Sequence, residues 1–250
     1  MQGDSLPLIT TLLALAFFVA AALYASVGHG GASAYLAVMG LCGMAPEEMK
    51  PIALVLNIAV SLVSLAAFHH KGHFQLRLFW PLAAASVPMA FLGGALHTSQ
   101  MTFKIILCGA LLAGAWRLLA APAAASTSET RPVNLPTLLA LGAVIGLLSG
   151  LVGIGGGIFL TPALILLRWA PAKTAAAISA AFIAANSCSG LAGFMSKHGA
   201  IPAMAWWLLP CVLGGGLLGA IWGSGRAQSP ALRRALSAVL IVAAAKFLIV

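Results

Sequence analysis

The stretch that decides the fold is Val-Gly-Ile-Gly-Gly-Gly at residues 152–157, which lies inside a charge-free run from 132 to 167. A related stretch, Val-Gly-His-Gly-Gly at 27–31, occurs 125 residues earlier inside another charge-free run, from 5 to 46. A glycine cluster breaks a helix and frees backbone groups. In a bilayer such a break is tolerated only where it is buried in protein or lines a cavity. Matching breaks in the two halves of a chain predict a transporter binding site at the breaks.

Composition places the chain in a membrane. Of its 250 residues 62% are hydrophobic and 7% are charged, with a mean hydropathy of +1.06, whereas a soluble domain carries about a quarter charged residues. Repeated apolar runs near 20 residues indicate helices and not barrel strands. We therefore expect an all-α polytopic membrane protein in the cell (inner) membrane, with the lipid bilayer as its surroundings and no nucleic-acid partner.

The two halves correspond segment by segment, which predicts an internal duplication. Each signature is followed 18 residues later by a proline, Pro46 or Pro171. A helix with a central asparagine comes next, carrying Asn57 or Asn186, and a helix with a proline and a glycine cluster follows it. We expect two membrane repeats and about 8–10 helical segments, with the boundaries 1–120 for the first repeat, 121–134 for a linker and 135–250 for the second repeat.

Each signature is expected at the tip of a broken or re-entrant helix. Only residues 32–45 and 158–167 remain after the glycines before the next polar segment. At about 1.5 Å per residue these segments reach roughly half the bilayer or little more. Two complete spans joined by a glycine turn is the alternative reading.

The basic residues predict how the chain is oriented. Nine would share one side of the membrane: Lys71, Arg77, Arg117, Arg131, Arg168, Lys173, Arg226, Arg233 and Arg234. Four would share the other: Lys50, Lys104, Lys197 and Lys246. The positive-inside rule assigns the larger set to the cytoplasm, so both termini are expected outside. Each half then crosses an odd number of times, and the two repeats are expected to be inverted.

The charge balance favours an anionic substrate. The chain has 13 Lys and Arg residues against 4 Asp and Glu residues, and no acid falls deep inside a predicted span. A cation pathway usually needs such acids, whereas positive charge attracts anions. No cofactor is expected, because the four cysteines lack metal-ligand spacing. A membrane enzyme is disfavoured because no intramembrane carboxylate or metal-binding set could serve as its catalytic group.

The candidate site consists of donors in and around the signatures. Freed N–H groups at a helix break form an anion-binding nest, which nominates Gly28, Gly30, Gly31, Gly153, Gly155, Gly156 and Gly157. His29 either donates to an oxyanion or carries a proton with it, and a structural hydrogen bond is the alternative. The mid-helix amides of Asn57 and Asn186 donate to the anion or join helices. Hydroxyl donors are available from Ser33, Thr161, Ser179, Ser187 and Ser189.

The duplicated Gly-x-Gly-Gly, the later glycine-rich helix of each half and the chain size resemble the sulfite exporter TauE/SafE family over essentially the whole chain. The second signature, with Pro162 after it, fits the family pattern closely. The first departs from it, with His29 at the variable position and Ala32 where a third glycine could stand. The resemblance implies transmembrane movement of small anions, often sulfur oxyanions or organosulfonates.

These observations together predict a transporter of a small anion, sulfite or another sulfur-containing anion, that works by alternating access between the two repeats. Its partners are the anionic substrate and, in one version of the hypothesis, protons. A membrane scaffold or assembly factor, or a passive anion channel, remains the alternative at this stage.

Overall fold

The computed structural model describes residues 5–120 and 131–225, together with Ser237, Leu240, Ile241, Ala244 and Ala245. The described ranges form these helices: α1 (Ser5–Ala25), α2 (Ala32–Leu41), α3 (Pro46–His70), α4 (Leu76–Ala95), α5 (Gln100–Ala120), α6 (Leu135–Val152), α7 (Gly157–Leu166), α8 (Ala172–His198) and α9 (Ala203–Gly225). The predicted linker from 121 to 130, and most of the helix expected over 232–250, lie outside the described residues.

Helix lengths confirm the prediction of an all-helical polytopic membrane protein. Five described helices, α3, α4, α6, α8 and α9, are long and apolar enough to cross a bilayer. In contrast, α2 and α7 have 10 residues each. At about 1.5 Å per residue, a helix of that length covers about half of a hydrocarbon core. Both short helices follow a glycine signature, as expected for broken helices.

The two breaks have the same backbone chemistry. The residues that precede α2 and α7 are Gly31 and Gly156, with φ of 98° and 81°. These left-handed conformations are costly for residues with a Cβ. Glycine at both positions therefore lets the chain leave one helix and begin the next within a few residues.

Helix packing follows one rule in both halves. Helix α1 packs along α9 while α6 packs along α4, and α3 packs on α9 while α8 packs on α4. Likewise, α2 lies on α3 and α7 lies on α8. If α1 to α4 are paired in order with α6 to α9, every one of these contacts has a counterpart in the other half.

Helices α3 and α8 lie side by side in opposite directions at the centre of the bundle. Phe68, near the end of α3, clusters with Ala176 and Ala177 at the start of α8. At the other end, the Lys50 ammonium near the start of α3 lies 5.7 Å from the ring centre of Phe194, near the end of α8. The midpoints of these two helices therefore meet inside the bundle, where Asn57 and Ser187 touch.

Two ladders of glycines bring helices into backbone contact. On α6, the glycines at 142, 146 and 150 face the backbone carbonyls of Leu82, Ser86 and Ala90 on α4. On α9, the glycines at 215, 219 and 223 face those of Phe18 and Ala22 on α1 and of Ser26 just after it. Small residues four apart allow such approach, and van der Waals packing then supplies the attraction that the hydrophobic effect cannot supply in lipid.

We expect Gly146→Ala to destabilise the protein by about 1–3 kcal/mol, because its Cβ would press on the backbone of Ser86 in a packed interface. The control is Gly109→Ala on α5, where a Cβ would meet nothing within 4 Å. That control should be neutral or stabilising by up to about 1 kcal/mol, because alanine favours helix. Thermal unfolding in detergent measures both, and equal midpoints for the two variants would contradict the close packing.

Candidate functional site

The fully buried side chain of Asn57 joins the two glycine signatures. Its Oδ1 accepts a hydrogen bond from the backbone N–H of Ala32, at the start of α2, over 3.3 Å. Its Nδ2 donates to the carbonyl of Ile154, inside the second signature, over 3.1 Å, and to Ser187 Oγ over 3.0 Å. One amide on α3 thus holds the first break, the second break and the middle of α8 together.

The glycines nearest to this amide make room for it. A Cβ on Gly30 would overlap Asn57 Oδ1, and a Cβ on Gly155 would overlap Asn57 Nδ2. The space beside these two glycines is therefore occupied by the protein's own amide in this conformation. A larger residue at either position would displace Asn57. A loss of activity in such a variant would therefore not show whether the glycine makes room for a ligand or for the packing of Asn57.

A second connection between the halves runs through hydroxyl groups. His29 Nε2 lies 2.7 Å from Thr161 Oγ1 on α7, and that hydroxyl donates to Ser179 Oγ on α8 over 2.6 Å. Because a threonine hydroxyl has a single proton, which here goes to Ser179, the His29 Nε2 atom acts as the donor to Thr161. His29 is 4% exposed, so this chain of donors is enclosed within the bundle.

Helices α2 and α7 both begin at this junction of Asn57 and the signatures. Their N-cap residues, Gly31 and Gly156, have no side chain that could cap them, and at α2 Asn57 Oδ1 takes the first N–H instead. The first N–H groups of a helix and its dipole create partial positive charge there. In the described part of the chain the carboxylates are Glu47 and Glu48, both exposed at the start of α3. The junction therefore combines donors and positive dipole ends without a described carboxylate.

The other signature glycines contact neighbours away from Asn57. A Cβ at each would meet, in turn, Ala176 for Gly28, Tyr35 for Gly31, Lys50 for Gly153, Ile145 and Phe182 for Gly156, and Ile183 for Gly157. Gly157 also lies close to His29, whose Cδ2 would be 3.2 Å from that Cβ. The hydroxyl of Ser33 donates to Tyr24 Oη over 2.8 Å, so it belongs to the edge of the junction.

Asn186, the counterpart of Asn57 on α8, is fully buried, and both its Nδ2 and Oδ1 lack a partner among the described residues. A buried polar group without a partner costs about 1–3 kcal/mol. Such an amide is a ready binding group for a ligand that enters the bundle. Among the described residues no group of three His, Cys, Asp or Glu side chains is placed to hold a metal ion.

Two residues were missed as site candidates by the sequence interpretation. Tyr24 receives the Ser33 hydrogen bond and its ring centre lies 6.2 Å from that of His29. Lys50 was assigned only to membrane orientation, yet it is 6% exposed and lies against Gly153. Its position seven residues before Asn57, on the same helix face, was the available signal.

Long apolar spans around two broken helices define a polytopic membrane protein with the architecture expected of a transporter. Comparison with known proteins agrees: the sequence pattern of the family described as Sulfite exporter TauE/SafE matches residues 13–247. The chain is also 37% identical over 240 residues to the "Probable membrane transporter protein y4hK" of Sinorhizobium fredii (strain NBRC 101917 / NGR234), covering 94% of this chain and 97% of that protein. No solved structure matches it. The chain belongs to the TauE/SafE sulfite exporter family.

We expect Asn57→Ala to lower the stability of the protein, because the Ala32 N–H and the Ile154 carbonyl lose their amide partner. The cost should be about 1–3 kcal/mol for each buried group left unsatisfied. Asn134→Ala is the matched control, since Asn134 is exposed and its side chain makes no capping bond to α6. Thermal unfolding in detergent compares the two, and equal midpoints would show that Asn57 does not hold the breaks together.

Proposed function

We propose that this protein carries a small anion across the membrane, and that the anion is sulfite or another sulfur-containing anion such as thiosulfate or an organosulfonate. The observation that carries the proposal is the meeting of two half-helix N-termini at Asn57. Helix N-termini bind anions through free N–H groups and the dipole, and transporters use broken helices to aim them at anionic groups.

Asn57 indicates how the anion would be held. Its Oδ1 accepts from the first N–H of α2, which is the position an oxyanion oxygen would take. Rotation of this amide would free the N–H and turn Nδ2, now on Ile154 and Ser187, towards the anion. The unpaired amide of Asn186 offers further donors in the bundle.

Two inverted repeats and alternating access are part of the proposal. An in-plane twofold axis relating the halves would make the counterpart helices α3 and α8 antiparallel, and they pack in opposite directions. The exchange of packing partners, α1 with α9 and α4 with α6, supports the same axis. Rocking of one repeat against the other around Asn57 would open the junction to each side in turn, with both termini outside.

Reconstituted vesicles test the proposed function. Wild-type protein should move radiolabelled sulfite or thiosulfate under anaerobic conditions, and protein-free vesicles should not. Thr161→Val should reduce that flux at least about fivefold, because one lost hydrogen bond in a buried chain is worth about 1 kcal/mol or more. Thr137→Val, at an exposed position of α6, is the control with the same chemical change. Absence of flux with sulfite, thiosulfate, sulfate and organosulfonates alike would reject the sulfur-anion assignment.

We also expect His29 to make flux depend on pH. A charged imidazole would strengthen binding of an anion, so flux should rise as the pH falls through roughly pH 7.5 to 5.5. His29→Gln keeps a hydrogen-bond donor for Thr161 but cannot titrate, and its flux should be flat over this range. Thiosulfate is the suitable probe, since its own charge is constant there. Tyr24 is a titratable group that faces the ring, and Tyr24→Phe should keep the pH dependence. An unchanged profile in His29→Gln would make His29 a neutral donor.

A further inference from the structure

A cleft opens at the end of the bundle where α3 begins and α4 ends. It is a small cleft with a volume of about 30 Å³, and it is open on one side. Its walls come from α3, α5, α6, α8 and the segment after α4, and its lining residues are Pro46, Glu47, Lys50, Leu96, His97, Thr98, Phe103, Leu151 and Phe194. The cleft therefore has apolar walls and a small group of polar side chains around a small, open space.

Lys50 is the buried cation of this cleft. Its Nζ donates to the carbonyls of Gly93 and Gly94 over 3.3 Å and 3.2 Å, and lies over the ring of Phe194. These carbonyls belong to the last turn of α4, so Lys50 also caps that helix. An ammonium has three N–H donors, and two carbonyl partners leave one donor for a ligand. Among the described residues no carboxylate contacts this buried cation, which favours an anion beside it.

Thr98 supplies an independent sign of a missing ligand. Its Oγ1 is buried and has no hydrogen-bond partner among the described residues, although it lines the same cleft as Lys50. A buried hydroxyl without a partner is unfavourable. An oxyanion between Lys50 and Thr98 would satisfy both groups. Glu47 also lines the cleft but is exposed, so its carboxylate opposes an anion from the rim.

The cleft lies close to the junction of the two breaks. Lys50 and Asn57 are seven residues apart on one face of α3, which corresponds to about 10 Å along the helix. Between them lies the second signature: a Cβ at Gly153 would be 3.1 Å from Lys50 Cγ, and the next residue, Ile154, accepts from Asn57. A ligand at Lys50 is therefore about two helical turns from the proposed binding site.

We propose that this cleft is a separate anion subsite, in which Lys50 and Thr98 capture the anion before it reaches Asn57. The inference rests on the proposed function, because the captured anion is the transported one. Glu47 sets the affinity of the subsite by repulsion. Lys50 acts in capture and not in translocation, so it governs the concentration dependence of flux.

Three single substitutions test the subsite in vesicles with thiosulfate as the probe. Lys50→Gln keeps donors for the α4 carbonyls but removes the charge, and should raise KM about tenfold with the maximal rate unchanged. Glu47→Gln removes the opposing charge and should lower KM. Glu48→Gln, the neighbouring exposed carboxylate that does not line the cleft, should leave KM as in the wild type. If Lys50 were purely structural, KM would not be expected to rise in Lys50→Gln and fall in Glu47→Gln.

The outcomes separate this inference from the proposed function. Wild-type flux with an unchanged KM in both Lys50→Gln and Glu47→Gln would overturn the subsite and leave the transport proposal standing. If the wild type moves no sulfur anion, the transport proposal fails. The cleft is then tested separately, by measuring whether thiosulfate raises the thermal stability of the protein in detergent. Stabilisation that is lost in Lys50→Gln supports an anion site, and equal stabilisation in both proteins rejects it. Should Lys50→Gln not fold, Glu47→Gln and Thr98→Val carry the same test.

Discussion

The structure depends on one constraint: backbone groups freed inside a bilayer need partners from the protein, because lipid offers none. Each signature frees such groups, and the amide of Asn57 serves both, accepting from Ala32 and donating to Ile154. That double role requires the two breaks to lie at the same depth and α3 to pass between them. The same requirement accounts for the central position of α3 beside α8. It also needs the outer helices to pack closely, which the glycine ladders allow.

The sequence predicted the breaks well because their chemistry is local. Left-handed backbone at Gly31 and Gly156 favours glycine in any fold, and the short apolar segment after each one favoured a partial span over a complete one. The partners of Asn57 could not be predicted from the sequence. Ser187 lies 130 residues away from Asn57, and the two residues meet only because of the register in which α3 packs on α8. The burial of Lys50 was beyond the reach of the sequence for a similar reason. A lysine near a helix start usually faces water, whereas the end of α4 covers this one through the carbonyls of Gly93 and Gly94.

The glycines nearest to Asn57 leave no open space beside the breaks in this conformation. Gly30 and Gly155 are filled by Asn57, so the molecule is closed around its own amide. An anion would have to replace Asn57 Oδ1 as the acceptor of the Ala32 N–H at the start of α2. It would also have to draw Asn57 Nδ2 away from Ile154 and Ser187. Under the proposed function, such competition would limit leakage, because opening the junction would be costly unless an anion replaced the lost hydrogen bonds.

The glycine ladders show how strictly the boundary between the two halves of the chain limits side-chain size. Both ladders, on α6 and α9, belong to the second half and meet α4 and α1 of the first half. The first half contributes as well, because a Cβ on Gly93 or Gly94 of α4 would press on the backbone of Leu147 or Gly190. Each half therefore admits the backbone of the other. A side chain added at any of these glycines would push the halves apart, so this boundary tolerates little change in residue size.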